Sequence, residues 1–388
     1  HIGDSGIAND TTVTNYGNQY IGKGGIANDT TVSDYGEQTV SIHGTANDTI
    51  VNSRGHQSID GIANDAIINA GGSQNVAAGG IANNTLVNAD GLQRVFGTAN
   101  DTILDGGTQT LEGGIANNTI VNDGGRQIVD AGSTANDTTV YTGGAIFIRE
   151  NGTQLTGTTT LDGGSIYLTP VSNSGSSFFI TSDIENIVGD GSIYLNTNLE
   201  ALTGDLIRIS GSISGEQQVF ANNQGGASVD KDQTLTIIET AGGGNFSLGQ
   251  QVEVGGYLYD LRKNPGNQNN WELYSPGNHT SSGSASINAF AGSYLLNYAE
   301  TQTLLQRMGD LRQGENQGGV WARALGGKFE SNGSSFLSGF DMNYSGLQVG
   351  SDKKISLKNG KGDLYVGGMF GYSKGNLDYG VGSGSIDS

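Results

Sequence analysis

The chain has 388 residues, among them 66 Gly, 3 Pro and no Cys, and carries a formal charge of −20. The missing cysteine excludes disulfides and thiolate chemistry and suits a chain that crosses an oxidising compartment. Residues 1–165 hold 17 acids against 5 Lys or Arg, which excludes nucleic acid as a partner of this stretch, and the strict periodicity of a Gly-, Asn- and Thr-rich sequence excludes both an ordinary helical domain and disorder.

From the N-terminus, Ala-Asn-Asp or Ala-Asn-Asn occurs eight times between Ala8 and Asp137, with the alanines 19, 19, 17, 19, 17, 17 and 19 residues apart. A strand alternates faces with period two, so steps that differ by two keep later side chains on their original side. Five residues after each alanine stands an aliphatic residue (Val13, Val32, Val51, Ile68, Val87, Leu104, Val121, Val140), with Thr or Ala two positions before it. After a Tyr-Gly, Arg-Gly or Gly-Gly turn comes a second strand, opened by Gln19, Gln38, Gln57, Gln74, Gln93, Gln109 or Gln127 and carrying an aliphatic residue two positions on. The pattern predicts a β-solenoid of 17 to 19 residues per coil, each coil with two strands and two turns. Eight coils and a less regular ninth make a rod of about 40 Å at ~4.8 Å per coil. The Asn after each alanine (Asn9, Asn28, Asn47, Asn64, Asn83, Asn100, Asn117, Asn136) is expected to form a structural amide ladder at a corner, and the Gln column likewise.

The rhythm stops near Ser165, which ends the predicted solenoid at residues 1–165. Strand-like runs continue to Tyr274 with longer Gly-rich turns and more aromatics, Tyr257, Tyr259 and Trp271 among them, and predict a cap over 166–276 that covers the last coil's edge. Residues 277–283 read as a polar linker. Ile287, Phe290, Ala291, Tyr294, Leu295, Tyr298, Thr301, Leu304, Leu305, Met308 and Leu311 recur at three and four, predicting a helix of about 28 residues within 277–316 that is too polar to face lipid. Over 317–388, alternating segments such as Val320–Leu325, Phe340–Gly350 and Asp363–Tyr372 resemble transmembrane β-barrel strands. They supply three or four strands, short of the roughly eight in the smallest barrels. The chain starts in mid-repeat, without Met or signal peptide, and is expected to be a fragment or a processed product with a truncated barrel.

Asp205-Leu-Ile-Arg-Ile through Gly243, Phe246, Tyr257-Leu-Tyr-Asp-Leu and Asn270-Trp-Glu-Leu are followed by Met308-Gly-Asp-Leu-Arg and Gly319-Val-Trp-Ala-Arg. In this order of rod, cap, helix and barrel onset the chain resembles a type V autotransporter. The wording of the coils is similar to the self-associating adhesin group that includes AIDA-I, TibA and antigen 43. The resemblance implies a right-handed parallel β-helix, an autochaperone role for 166–276, and a helix in the barrel lumen. It also implies export through the periplasm to an outer-membrane barrel, with the passenger at the cell surface. Adhesion, autoaggregation or biofilm growth would follow, the partners being rods on neighbouring cells or a host receptor or matrix. Several such proteins carry sugars, making Thr12, Thr31 and Ser58 candidate acceptors. Members that cut themselves inside the helix have Asn-Asn where this chain has Gln302-Thr303, so cleavage there is not expected.

Two columns are expected to face solvent. One is the residue after each ladder Asn: Asp10, Asp29, Asp48, Asp65, Asp101 and Asp137, interrupted by Asn84 and Asn118. It reads as a solvated turn or as a polar strip for another copy, with calcium bridging a lesser reading. The other runs Thr12, Thr31, Ile50, Ile67, Leu86, Ile103, Ile120, Thr139, whose aliphatic middle is a candidate interface for self-association or a host ligand. The rival reading is a β-helix enzyme acting on polysaccharide. It needs acids gathered in a cleft, whereas these repeat evenly, His43 and His56 read as surface residues, and no Ser-His-Asp grouping or metal-ligand spacing emerges. A passive scaffold with its binding site in missing N-terminal coils is the third reading. No cofactor is expected.

Overall fold

The computed structural model describes residues 1–388 apart from 4, 171–178, 227, 228, 230, 231, 314–317, 334–338, 359–361, 380, 381 and 388. It divides into one unit of residues 1–254 with 259–276 and a second of 255–258 with 277–388.

In the first unit about nine solenoid turns stack in parallel. The repeat columns fall in register: Ile7, Ala8 and Asn9 pair with Ile26, Ala27 and Asn28, and Gln19 with Gln38. Each coil has three strands rather than the two expected, as in Ile7–Asn9, Thr12–Val13 and Asn18–Ile21. The cause is the residue after each ladder Asn, which sits in the left-handed region, at φ 52° for Asp10 and 53° for Asp29, and breaks the first strand in two. One sign of this lies in the sequence, because the inward Ala and the inward Thr stand three apart, a spacing no continuous strand provides.

Five side chains per coil point inward. The alanine, the aliphatic residue after it and the aliphatic residue of the third strand are fully buried through most coils, as in Ala46, Val51 and Ile59. Between them lie buried Thr and Gln. The Gln side chains form a continuous interior ladder from Gln19 to Gln127, each Nε2 donating to the Oε1 one coil before at 2.7 to 3.0 Å. Threonine hydroxyls donate to the same oxygens, Thr49 to Gln38 at 3.1 Å among them. A core this polar is tolerated because each amide is satisfied by its neighbours.

The two-residue differences between coils are absorbed in turns. Between Val40 and Ala46 the chain runs through Ser41-Ile42-His43-Gly44-Thr45, but between Ile59 and Ala63 only through Asp60-Gly61-Ile62. In the step from Ala99 to Ala116 one residue is missing from each of two turns. Facing is therefore preserved because the spacing of inward residues within the strands never changes.

Parallel stacking does not end at Ser165. Gln154–Leu168 and Thr181–Asn198 pair in parallel as longer coils, and the pattern runs on through Glu216–Asn223 to Asn245–Leu248. What changes at 165 is coil length. Inside, isoleucines replace the amide ladder, Gln127 pairing with Ile146 and Ile146 with Ile166. Outside, Phe147, Tyr167, Tyr194 and Phe220 stack face to face at 5.0, 4.3 and 4.6 Å. An antiparallel pair, Tyr257–Asn264 and Asn267–Tyr274, lies against Thr234–Thr240 and closes the unit, with Tyr259 and Trp271 buried and Trp271 edge-on to Phe246 at 5.3 Å.

In the second unit the helix, α1, spans Ser281–Gln313. It starts inside the stretch read as linker because Thr280 caps it, its Oγ1 accepting from the Gly283 N–H at 2.9 Å. No helix among the described residues is long and apolar enough to cross a membrane. The packing stripe is Asn288, Gly292, Leu296 and Ala299, with Leu311 beyond, whereas Phe290, Tyr294, Tyr298 and Leu305 of the predicted stripe are exposed. Glycine decides this, since a Cβ at Gly292 would lie 2.7 Å from the Leu377 side chain. The sheet approaches where the helix is thinnest, and Leu296 packs with Phe340, Met342 and Leu377. Four antiparallel strands follow: Gly318–Ser331, Phe340–Ser356, Asp363–Tyr379 and Gly382–Asp387.

Candidate functional site

The acidic column is built by the backbone. Asp10, Asp29, Asp48, Asp65, Asn84, Asp101, Asn118 and Asp137 all hold φ between 50 and 55°, a conformation that Asp and Asn adopt far more readily than other side-chain-bearing residues. From Asp10 to Asn118 each N–H donates to the carbonyl of the ladder Asn one coil on, as Asp48 does to Asn64 at 3.1 Å, and the Asp137 N–H donates to the Thr156 carbonyl at 3.2 Å; every side chain in the column is exposed. The two Asn interruptions are bonded within it: Asn84 Nδ2 donates to Asp65 Oδ1 and Asn118 Nδ2 to Asp101 Oδ1, both at 3.2 Å. Asp10, Asp29 and Asp48 have no such partner among the described residues.

Two positions on, the aliphatic column points outward. Ile50 is 37% and Ile103 38% exposed, with Ile67, Leu86 and Ile120 half-buried. From Asn84 to Thr160 the two columns line one groove, with Leu86, Ile103 and Ile120 beside Asp101, Asn118 and Asp137. The structure thus joins the two candidate surfaces into one face.

The remaining predicted positions lie elsewhere. The ladder asparagines also point outward, between Ile7-type residues and the corner, bonded Nδ2 to Oδ1 at 2.8 to 2.9 Å from Asn9 to Asn117 and at 3.4 Å to Asn136. Thr12 is exposed, and Thr31 and Ser58 are half-buried. Tyr257 sits against His279 in the second unit, ring centroids 4.9 Å apart. Thr303 is tied to the sheet, its hydroxyl to Gln348 and its carbonyl to Arg323.

Two features escaped the sequence reading. The residue before each alanine forms another outward column, with Ile7, Ile62 and Ile115 exposed. In addition, Glu37, His56 and Ser73 fall in one row, because their spacings of 19 and 17 are the coil steps themselves. His56 opens the strand His56–Ile59. Its Nδ1 lies 2.8 Å from Ser73 Oγ, and burial pushes its imidazole below the usual range, partly countered by the neighbouring Glu37 charge. The row looks like a nucleophile and base, yet its backbone N–H groups are spent in the ladder, His56 on Gly36 at 3.0 Å and Ser73 on Gly55 at 3.1 Å, leaving none there to stabilise an oxyanion. Among the described residues no group of three His, Asp or Glu is arranged to hold a metal.

Three family models match successive parts of the chain: the adhesin of bacterial autotransporter system, probable stalk, over residues 104–164, pertactin over 156–275, and the autotransporter beta-domain over 320–388. The chain is 36% identical over 250 residues to the probable autotransporter YcgV of Escherichia coli (strain K12), covering 54% of this chain and 26% of YcgV. It is 30% identical over 213 residues to the BrkA autotransporter of Bordetella pertussis, covering 53% of this chain and 21% of BrkA. The serine protease EspC of Escherichia coli O127:H6 is 34% identical over 98 residues, 25% of this chain and 7% of EspC. Among solved structures, a TibC-catalyzed hyper-glycosylated TibA fragment is 27% identical, with 64% of this chain and 92% of the fragment covered at a TM-score of 0.44. The chain thus spans about a quarter or less of these curated relatives. Stalk, pertactin-type and translocator sequences follow one another over the short coils, the long coils with their closing pair, and the antiparallel sheet; the chain belongs to the autotransporters, whose β-domain lies in the outer membrane and whose passenger stands at the cell surface.

Proposed function

We propose that the solenoid is the adhesive part of the passenger and works by contact, in cell adhesion, autoaggregation or biofilm growth, without catalysis. The observation that carries this is the joined outward face, where a corner column of carboxylates and amides flanks an aliphatic strip on the same coils. Exposed apolar strips rimmed by polar groups mark interaction surfaces. The Glu37–His56–Ser73 row supports no enzymatic reading, its backbone N–H groups being spent in the ladder. The protease relatives match over under a tenth of their length. Residues 166–276 act as the closing, autochaperone-type cap, and Thr12, Thr31 and Ser58 are candidate sugar acceptors, TibA being hyper-glycosylated.

The test is to couple the chain, held in detergent, to beads and measure clumping and capture on cultured cell layers against uncoated beads. Clumping or capture above the control is expected. Failure of both would overturn the proposal.

A further inference from the structure

We propose that the groove between Asn84 and Thr160 binds an extended cationic peptide in the polyproline II conformation, a ligand class that rests on the adhesive reading of the same face. The charge of the groove selects the sign. Asp101 and Asp137 line it, no Lys or Arg does, and neither acid is ion-paired among the described residues. Asn84 and Asn118 spend amide protons on Asp65 and Asp101, so the rim offers mainly acceptors. A second copy would bring the same acids to the contact, because residues 1–165 carry 17 acids and 5 bases, and like charges at close range repel.

The spacing selects the conformation. Asp101 and Asp137 stand two coils apart, ~9.6 Å at ~4.8 Å per coil. A polyproline II chain advances ~3.1 Å per residue with three residues per turn, so side chains on one face recur every ~9.3 Å. A β-strand repeats its face every ~6.7 Å and falls out of step within one contact. A cation at every third residue therefore meets Asp101 and then Asp137, while the intervening pyrrolidine rings lie on Leu86, Ile103 and Ile120. Such a chain is already ordered before binding, so little entropy is lost.

The experiment measures fluorescence anisotropy of a labelled (Pro-Pro-Lys)6 peptide with the full chain in detergent, against charge-matched (Gly-Ser-Lys)6. Tighter binding of the proline peptide is expected, weakened several-fold by Asp101→Asn with Asp137→Asn, the scale of losing two solvent-exposed ion pairs. The equally charge-reducing pair Asp105→Asn with Asp123→Asn, outside the groove, is expected to change binding little, and Ile103→Ser to weaken it at unchanged charge. Equal binding of the two peptides, or equal effects of the two Asp pairs, would overturn the proposal in favour of diffuse attraction to an acidic rod. Peptide binding without any bead capture or clumping would support the ligand class and sink the adhesive function. Capture that survives the Asp101/Asp137 change, with no peptide binding, would sink the ligand class alone.

Discussion

Gln74 shows what a single side chain does in this rod. Its Nε2 donates to Gln57 and its Oε1 accepts from Gln93, both at 2.7 Å in a core shielded from water. Gln74→Leu orphans a buried acceptor on one side and a donor on the other, so a loss of about 3 kcal/mol is expected in urea unfolding. Gln127 ends the ladder against Ile146, and Gln127→Leu, breaking one link, should cost about half as much. Equal losses would mean that stability does not follow the number of ladder links broken. His56 gives a pH signature. Its pKa is lowered in the folded rod, so its contribution is present above the ordinary value of about 6.5 and is lost as pH falls through the lower, folded value. His56→Gln should therefore flatten the fall in melting temperature between pH 7.5 and 5, and an unchanged slope would contradict the assignment.

At the scale of the coil, turns decide where the chain tolerates change. Gly97 sits in a short turn where an added Cβ would come within 2.3 Å of the Ala77 carbonyl and 2.4 Å of the Gly80 carbonyl. Gly79 needs only its φ of +91° and has open space around it. Gly79→Ala should cost about 1 kcal/mol, the usual left-handed penalty, whereas Gly97→Ala should cost clearly more because backbone must move; reversed sizes would refute this account of the turns. The same features explain what the sequence disclosed. The Ala, Val and Gln columns were legible because the spacing of inward residues within the strands is constant. The third strand was hidden because Asp at a corner looks like Asp in a strand. The Phe147, Tyr167, Tyr194 and Phe220 stack was hidden because its spacings grow to 20, 27 and 26 residues as the coils lengthen. The packing stripe of the helix was hidden because apolar spacing marks another face, whereas close approach at Gly292 governs which face packs.

For the whole molecule, the formal charge of −20 keeps rods apart unless a specific face draws something in. Asp10, Asp29 and Asp48 form the longest stretch of corner acids without an amide partner, and changing them to Asn should raise the melting temperature at low salt, an effect that should vanish near 1 M salt as screening shortens to ~3 Å. Both readings of the acidic and aliphatic face, solvated wall or contact surface, were legible in the sequence; that its two columns share one groove required the fold. The most direct measurement is cell-layer capture by the chain with Ile67→Ser, Leu86→Ser and Ile103→Ser, alongside its thermal melt. Capture on cell layers should fall several-fold while the melting temperature shifts by no more than a few degrees, since these side chains point outward. Full adhesion by the variant would contradict the account, and a collapse of the melt would show the strip to be core.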